Sequence, residues 1–344
     1  MQHAAIHPRD RATLRLTFGM GLSVFVAYGF ALPIPFVVCV VAVLFLCKPG
    51  PPLPLIKGLV AAFVFALLVL LGGLMVPLLE NFAFAGILLT AVILFAVFFA
   101  GLTSGSPLTM VLVLAFALIP VAGVAEQSLV LALAGTLAVG VGVGTLAGAI
   151  SSALFPDPPG MVGKANVNAP SPESARWIAL RATLIVMPVF VLALTNPSFY
   201  LAAIMKTVTL SQQVGDSDAR HAGRELVGST LAGAGLAALA WTGLSLWPNL
   251  WMLALWIMAV TLWCGAGIFG ARHTVYRPSF WSNALITTLI LLGPAIEDSA
   301  SGKSVLQGAL MRTSLFVGVA LYAWATVYVL ERWRARGRSA NATR

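Results

Sequence analysis

Two basic side chains stand inside long apolar runs, and any chemistry in this sequence starts with them. Lys206 lies in Ile204-Met205-Lys206-Thr207-Val208-Thr209, and Arg312 lies in Met311-Arg312-Thr313-Ser314. An ammonium at membrane depth costs about 2.5 kcal/mol or more on insertion scales, so such residues are rarely idle. Thr207, Thr209, Ser211, Gln212 and Gln213 add donors along the same stretch. Together these groups are suited to holding an anion. The plain alternative for Lys206 is a stem that snorkels to the nearer membrane face. About six residues of helix, roughly 9 Å, separate it from Gln212, which is long for one side chain. Arg312 never loses its proton, so it must meet an acid, carbonyls or an anionic ligand. Its plain alternative is a structural ion pair with Glu297 or Asp298.

The remaining ionisable residues narrow the chemistry by where they fall. No Asp or Glu stands in the middle of an apolar run, so a carboxylate proton relay has no obvious members. The intramembrane charge is positive, which suits an anionic substrate. Asp216, Asp218 and His221 form the one acid–histidine group, a weak basis for an enzyme acting on lipid-linked substrates. No enzyme activity is expected. Cys39, Cys47 and Cys264 sit singly in apolar runs without CxxC spacing, and the four histidines are scattered. No metal site and no cofactor are expected. Arg224 stands four residues before Gly228, placed either to attract an anion or to offset a helix dipole. All nine tryptophans lie from Trp177 onward. Trp247, Trp251 and Trp281 read as interfacial anchors. Trp256 and Trp263 sit deeper, where they either line a pocket for a flat ligand or pack against lipid. Gly140, Gly144 and Gly148 fall four apart, a close-packing seam and not a phosphate loop.

The elements that position these groups follow from composition. Of 344 residues, 60% are hydrophobic and 9% charged, against roughly 45–50% and 25% in soluble domains. The mean hydropathy of +0.97 leaves a polytopic membrane protein. The net charge of +9 is spread over the ends of apolar runs, the topogenic pattern, so nucleic-acid binding is not expected. The fold class expected is all-α, with about twelve transmembrane helices. Spans fall near 13–30, 33–47, 58–78, 82–101, 108–122 and 128–154, then 177–195, 199–212, 227–246, 250–268, 282–294 and 304–330. No small-residue cleavage site closes the first run, which is expected to stay as a span.

The chain divides into a first six-helix repeat (1–154), a cytoplasmic linker (155–175), a second six-helix repeat (176–331) and a basic tail (332–344). Arg11 and Arg176, Gly50 and Gly215, and Gly58 and Gly223 all stand 165 residues apart, and Arg11-Ala12-Thr13-Leu14 recurs as Arg181-Ala182-Thr183-Leu184. An even number of spans per unit makes the repeats parallel. The second and fifth spans of each half read as short or broken, at Pro33 and Pro35 or before Pro120, or at 199–212 and 282–294. Short segments at matching places in two repeats point to a transport site. With both termini cytoplasmic, 17 of the 20 Lys and Arg residues border the inner face, as the positive-inside rule requires.

Residues of the second half carry a family likeness. Gln212-Gln213-Val214-Gly215, Arg224-Glu225-Leu226-Val227-Gly228 and Arg312-Thr313-Ser314-Leu315-Phe316-Val317-Gly318 resemble the turn, Arg-x-x-x-Gly and late Arg motifs of the fusaric-acid-resistance and aromatic-acid-exporter superfamily. The resemblance implies efflux of aromatic or other weak organic acids across a bacterial inner membrane. It also implies a periplasmic adaptor and an outer-membrane channel as partners, beside membrane lipid and the organic anion itself. Assembly as a homo-oligomer is compatible with it. The chain departs from many members in lacking a large cytoplasmic domain, and Lys57-Gly58 lacks the Arg-x-x-x-Gly pattern. An organic-anion channel is the alternative within transport.

Overall fold

The computed structural model describes residues 7–47, 55–104, 107–156, 171–216 and 219–342. Among them are thirteen helices and no strand: α1 (Pro8–Gly29), α2 (Pro35–Leu46), α3 (Leu55–Gly73), α4 (Met75–Asn81), α5 (Ala83–Ser104), α6 (Pro107–Ala125), α7 (Gln127–Leu154), α8 (Pro172–Thr195), α9 (Pro197–Asp216), α10 (Ala219–Leu246), α11 (Leu250–Ile268), α12 (Pro278–Ala300) and α13 (Val305–Ala342). Eight are long and apolar enough to cross a membrane. The chain is a multi-pass membrane protein.

Local sequence explains several helix ends. Proline opens α1, α2, α8 and α12, where a missing N–H costs nothing. The Ser171 hydroxyl caps α8 by accepting from Ser174 N, and the Asn249 carboxamide caps α11 by accepting from Met252 N at 2.7 Å. Where 58–78 reads as one span, the helix breaks at Leu74. Pro77 cannot donate to the carbonyl four residues back, and Gly72 and Gly73 offer little helical stiffness there.

The expected short span at 282–294 is in fact the 23-residue α12. Pro294 lies inside it, as Pro120 lies inside α6 and Pro188 inside α8. Neighbouring helices can satisfy the carbonyl that such a proline frees. The helix therefore runs on through Glu297 and Asp298 instead of ending at the proline. α9 is likewise longer than its apolar part, Phe199–Ser211. The tail expected from 332 continues α13 as helix to Ala342. Most of the 155–175 linker lies outside the described residues.

Four helices make the centre. α2 packs on α12 and α6, and α9 packs on α6 and α12. Val37 to Val43 of α2 and Ala203 to Val208 of α9 have no exposed surface. At 12 residues, α2 spans about 18 Å, well short of a ~30 Å hydrocarbon core. Its end groups must therefore face protein, and the burial of ten of its twelve residues provides that. Around this centre α1 packs against α11 and α8 against α5, while α7 packs on α2 and α3, and α13 on α9 and α10. The glycine seam of α7 is real: a Cβ on Gly144 would stand 3.2 Å from Ala42 Cα, and one on Gly140 would stand 3.0 Å from Val41 Cβ.

Candidate functional site

Lys206 sits in the middle of the buried stretch of α9, with none of its surface exposed. Its ammonium donates to Asn283 Oδ1 at 3.0 Å and to Thr287 Oγ1 at 2.6 Å, both on α12. The Asn283 amide then donates to Ser229 Oγ on α10 at 2.6 Å. Thr287 donates to the Asn283 carbonyl at 2.6 Å, and Ser229 to the Leu226 carbonyl at 3.1 Å. Asn283, Thr287 and Ser229 are themselves at most 2% exposed. Among the described residues no carboxylate comes within ion-pair distance of Lys206. It is a buried amine held by neutral oxygens.

The close approach of α10 and α12 makes this network possible. A Cβ at Gly233 would stand 2.6 Å from the Ala284 carbonyl and 2.6 Å from Thr287 Cβ, so only glycine lets the helices meet there. Thr288 uses the same proximity, donating to the Gly233 carbonyl at 3.1 Å. Asn283 and Thr287 lie four residues apart on one face of α12, with Thr288 next to Thr287, in a run otherwise made of Ala, Leu and Ile. Sequence reading missed these partners. Their signal was there: polar residues at helical spacing within a buried apolar span.

The other residues singled out from sequence fall in several places. Thr207 and Thr209 are buried beside Lys206, but their hydroxyls return to carbonyls of α9, at Ala203 (2.6 Å) and Lys206 (2.8 Å). Gln212 and Gln213 continue α9, and their side chains lie outside the described residues, as do those of Asp216, Asp218 and His221. Arg312 Nη1 donates to Asp298 Oδ2 at 2.7 Å, which is the ion pair of its two readings. Asp298 stands beyond Thr287 on α12 by roughly 16 Å of helix rise. The structure does not bring Arg312 and Lys206 together. Arg224 is exposed at the start of α10, its guanidinium 6.0 Å from the Tyr276 ring centroid. Trp256 packs over Gly243 of α10, and Trp263 carries the Arg272 guanidinium 3.9 Å from its ring centroid. Neither indole lies against the Lys206 network.

What the arrangement can do is limited and specific. A primary amine, two hydroxyls and a carboxamide meet at the contact of three helices, with no carboxylate within ion-pair distance of the amine among the described residues. Such a group can exchange a proton or accept an anion. In comparison with known proteins, no curated protein and no solved structure matches this chain. Residues 12–150, from α1 into α7, match the model of a family described as "Protein of unknown function (DUF2955)", a likeness that covers less than half the chain and stops before the lysine network.

Proposed function

We propose that this chain is a bacterial inner-membrane exporter of aromatic or other weak organic acids, the pump of a system completed by a periplasmic adaptor and an outer-membrane channel. The observation that carries the reading is Lys206, a basic side chain in the buried middle of α9 with no carboxylate within ion-pair distance among the described residues. Burying such a charge is costly unless it is paired, and an anionic substrate would supply the missing partner during transport. Its complete burial favours an occluded carrier over an open anion channel. The short Arg motifs of the second half support the kinship with aromatic-acid exporters, and the exporter's substrate class follows from that kinship.

The architecture in this reading is twelve spans arranged as two parallel six-helix repeats, α3 and α4 together making the third span. Reciprocal packing supports it. The contact of α1 with α11 is answered by that of α8 with α5, and the contact of α2 with α12 by that of α9 with α6. Thr13 and Thr183 of the recurring tetrapeptide are both buried, each donating at 2.9 Å to the carbonyl four residues back. Both termini face the cytoplasm in this reading, by the distribution of Lys and Arg.

Uptake of labelled aromatic acids into inverted membrane vesicles, with and without a pH gradient, tests the function. Accumulation above that of vesicles lacking the protein is the expected result. Equal accumulation across a panel of aromatic and aliphatic acids, at equal protein abundance, would overturn it.

A further inference from the structure

The turn between α11 and α12 holds a second arginine in an unusual setting. After Ile268 the chain reverses through Gly270, whose φ of +70° belongs to the left-handed region that glycine adopts without strain. Arg272 N donates to the Ala266 carbonyl at 3.0 Å, which closes the turn against the end of α11. The Arg272 side chain then lies between two indoles, its Cζ 3.9 Å from the ring centroid of Trp263 and 4.5 Å from that of Trp281. Gly267 makes room for the second ring, since a Cβ there would collide with the Trp281 indole. Trp281 Nε1 donates to Thr274 Oγ1 at 3.3 Å, which fixes that ring to the same turn.

The clamp orients the guanidinium and leaves one edge unused. Nε and Nη2 of Arg272 are buried and donate to no acceptor among the described residues. These two nitrogens present parallel N–H bonds on the same side of the group, the fork that grips a carboxylate or phosphate with two hydrogen bonds. Indole faces stabilise the cation but accept nothing in its plane, and buried charged donors without acceptors are costly. The neighbouring arginines differ. Arg9 Nη1 donates to the Gly270 carbonyl at 3.2 Å, and Arg277 pairs with Glu225 at 3.6 Å.

We infer that the Nε/Nη2 edge of Arg272, held between Trp263 and Trp281, is a binding site for an oxyanion, carboxylate or phosphate, gripped by both nitrogens. Trp263 is 54% exposed, so the site lies at the outer surface of the helix bundle. The oxyanion is supplied either by the phosphate of an anionic phospholipid or by a small anion free in solution. The site is separate from the Lys206 network and stands whether or not that network moves a substrate.

The test uses the full chain in phosphatidylcholine nanodiscs, as wild type, Arg272→Lys and Arg277→Lys. One arm exchanges part of the phosphatidylcholine for phosphatidylglycerol. The other adds benzoate or inorganic phosphate to the neutral discs. Binding is read as a concentration-dependent rise in the thermal midpoint. Wild type and Arg277→Lys are expected to respond to at least one arm. Arg272→Lys, which keeps the charge and loses the fork, is expected to respond roughly tenfold more weakly. A response to phosphatidylglycerol alone identifies the lipid as the source, and a response in neutral discs identifies the free anion. The inference is overturned if wild type responds to neither arm, or if Arg272→Lys and wild type respond alike.

Discussion

The two halves of the molecule each place two helices at the centre and fill them with opposite chemistry. In the first half, α2 and α6 bring Val37 to Val43 and Val111 to Ala122 to the centre, and among the fully buried positions there every side chain is apolar. In the second half, α9 and α12 bring Lys206, Thr207, Asn283, Thr287 and Thr288 to the same layer, all at most 2% exposed. Both sets form helices of similar burial, so stability alone does not call for the polar one. Apolar packing is the cheaper way to fill a membrane core, and polar residues there mark pathways for ions or substrates. Under the proposed function the first half is the scaffold and the second the working half.

Truncation in the scaffold should give the largest stability loss. Leu118→Ala leaves a cavity at a position with no exposed surface, at a cost of about 2–5 kcal/mol. Transport per folded molecule is expected to stay at the parental level, and a comparison of thermal midpoint with uptake checks both. A selective loss of transport from Leu118→Ala would break the division between the halves. Asn283→Leu is next. It removes an acceptor from a buried charge, a hydrogen bond worth about 1.5–3 kcal/mol, and leaves Ser229 without its amide donor. Here transport should fall much further than the folded fraction does.

Arg312→Ala sharpens the comparison within the working half. The change strands Asp298, whose side chain is 12% exposed. The expected cost is about 1–2 kcal/mol, between that of an exposed and a buried pair. Asp298→Asn in the same chain should recover part of the lost thermal stability, because it removes the stranded charge. The smallest effect belongs to Arg224→Ala. An exposed cation over an aromatic ring contributes about 0.5–1 kcal/mol. Its thermal midpoint should barely move, while uptake should weaken if the guanidinium draws anions to this end of α10.

Much of this organisation was legible in the sequence, and the limits have physical causes. Apolar runs bounded by proline, glycine and basic residues fix where helices start and stop. The expected apolar runs therefore fall on helices, with α3 and α4 read as one, and eight of those helices are long and apolar enough to cross a membrane. The depth of Lys206 could be read from the length of its run. Its partners could not, because Asn283 is 77 positions away in the chain and an apolar helix does not declare which face it turns to its neighbour. Pro294 misled for a related reason. A proline ends a helix in water but is tolerated where packed helices satisfy the freed carbonyl. For Arg312, the sequence offered Glu297 and Asp298 as equal partners, and only the register between α12 and α13 selects Asp298.

The most direct measurement of the central claim compares wild type, Lys206→Met and Lys206→Arg in reconstituted vesicles, as labelled aromatic-acid uptake against pH. Methionine keeps the volume of the lysine stem and removes the charge. Arginine keeps the charge but holds its proton throughout the accessible range. No uptake by Lys206→Met is expected at parental abundance. Lys206→Arg is expected to bind substrate and to lose the pH dependence of uptake. Uptake by Lys206→Met at the parental rate with an unchanged pH profile would contradict the proposed role of Lys206.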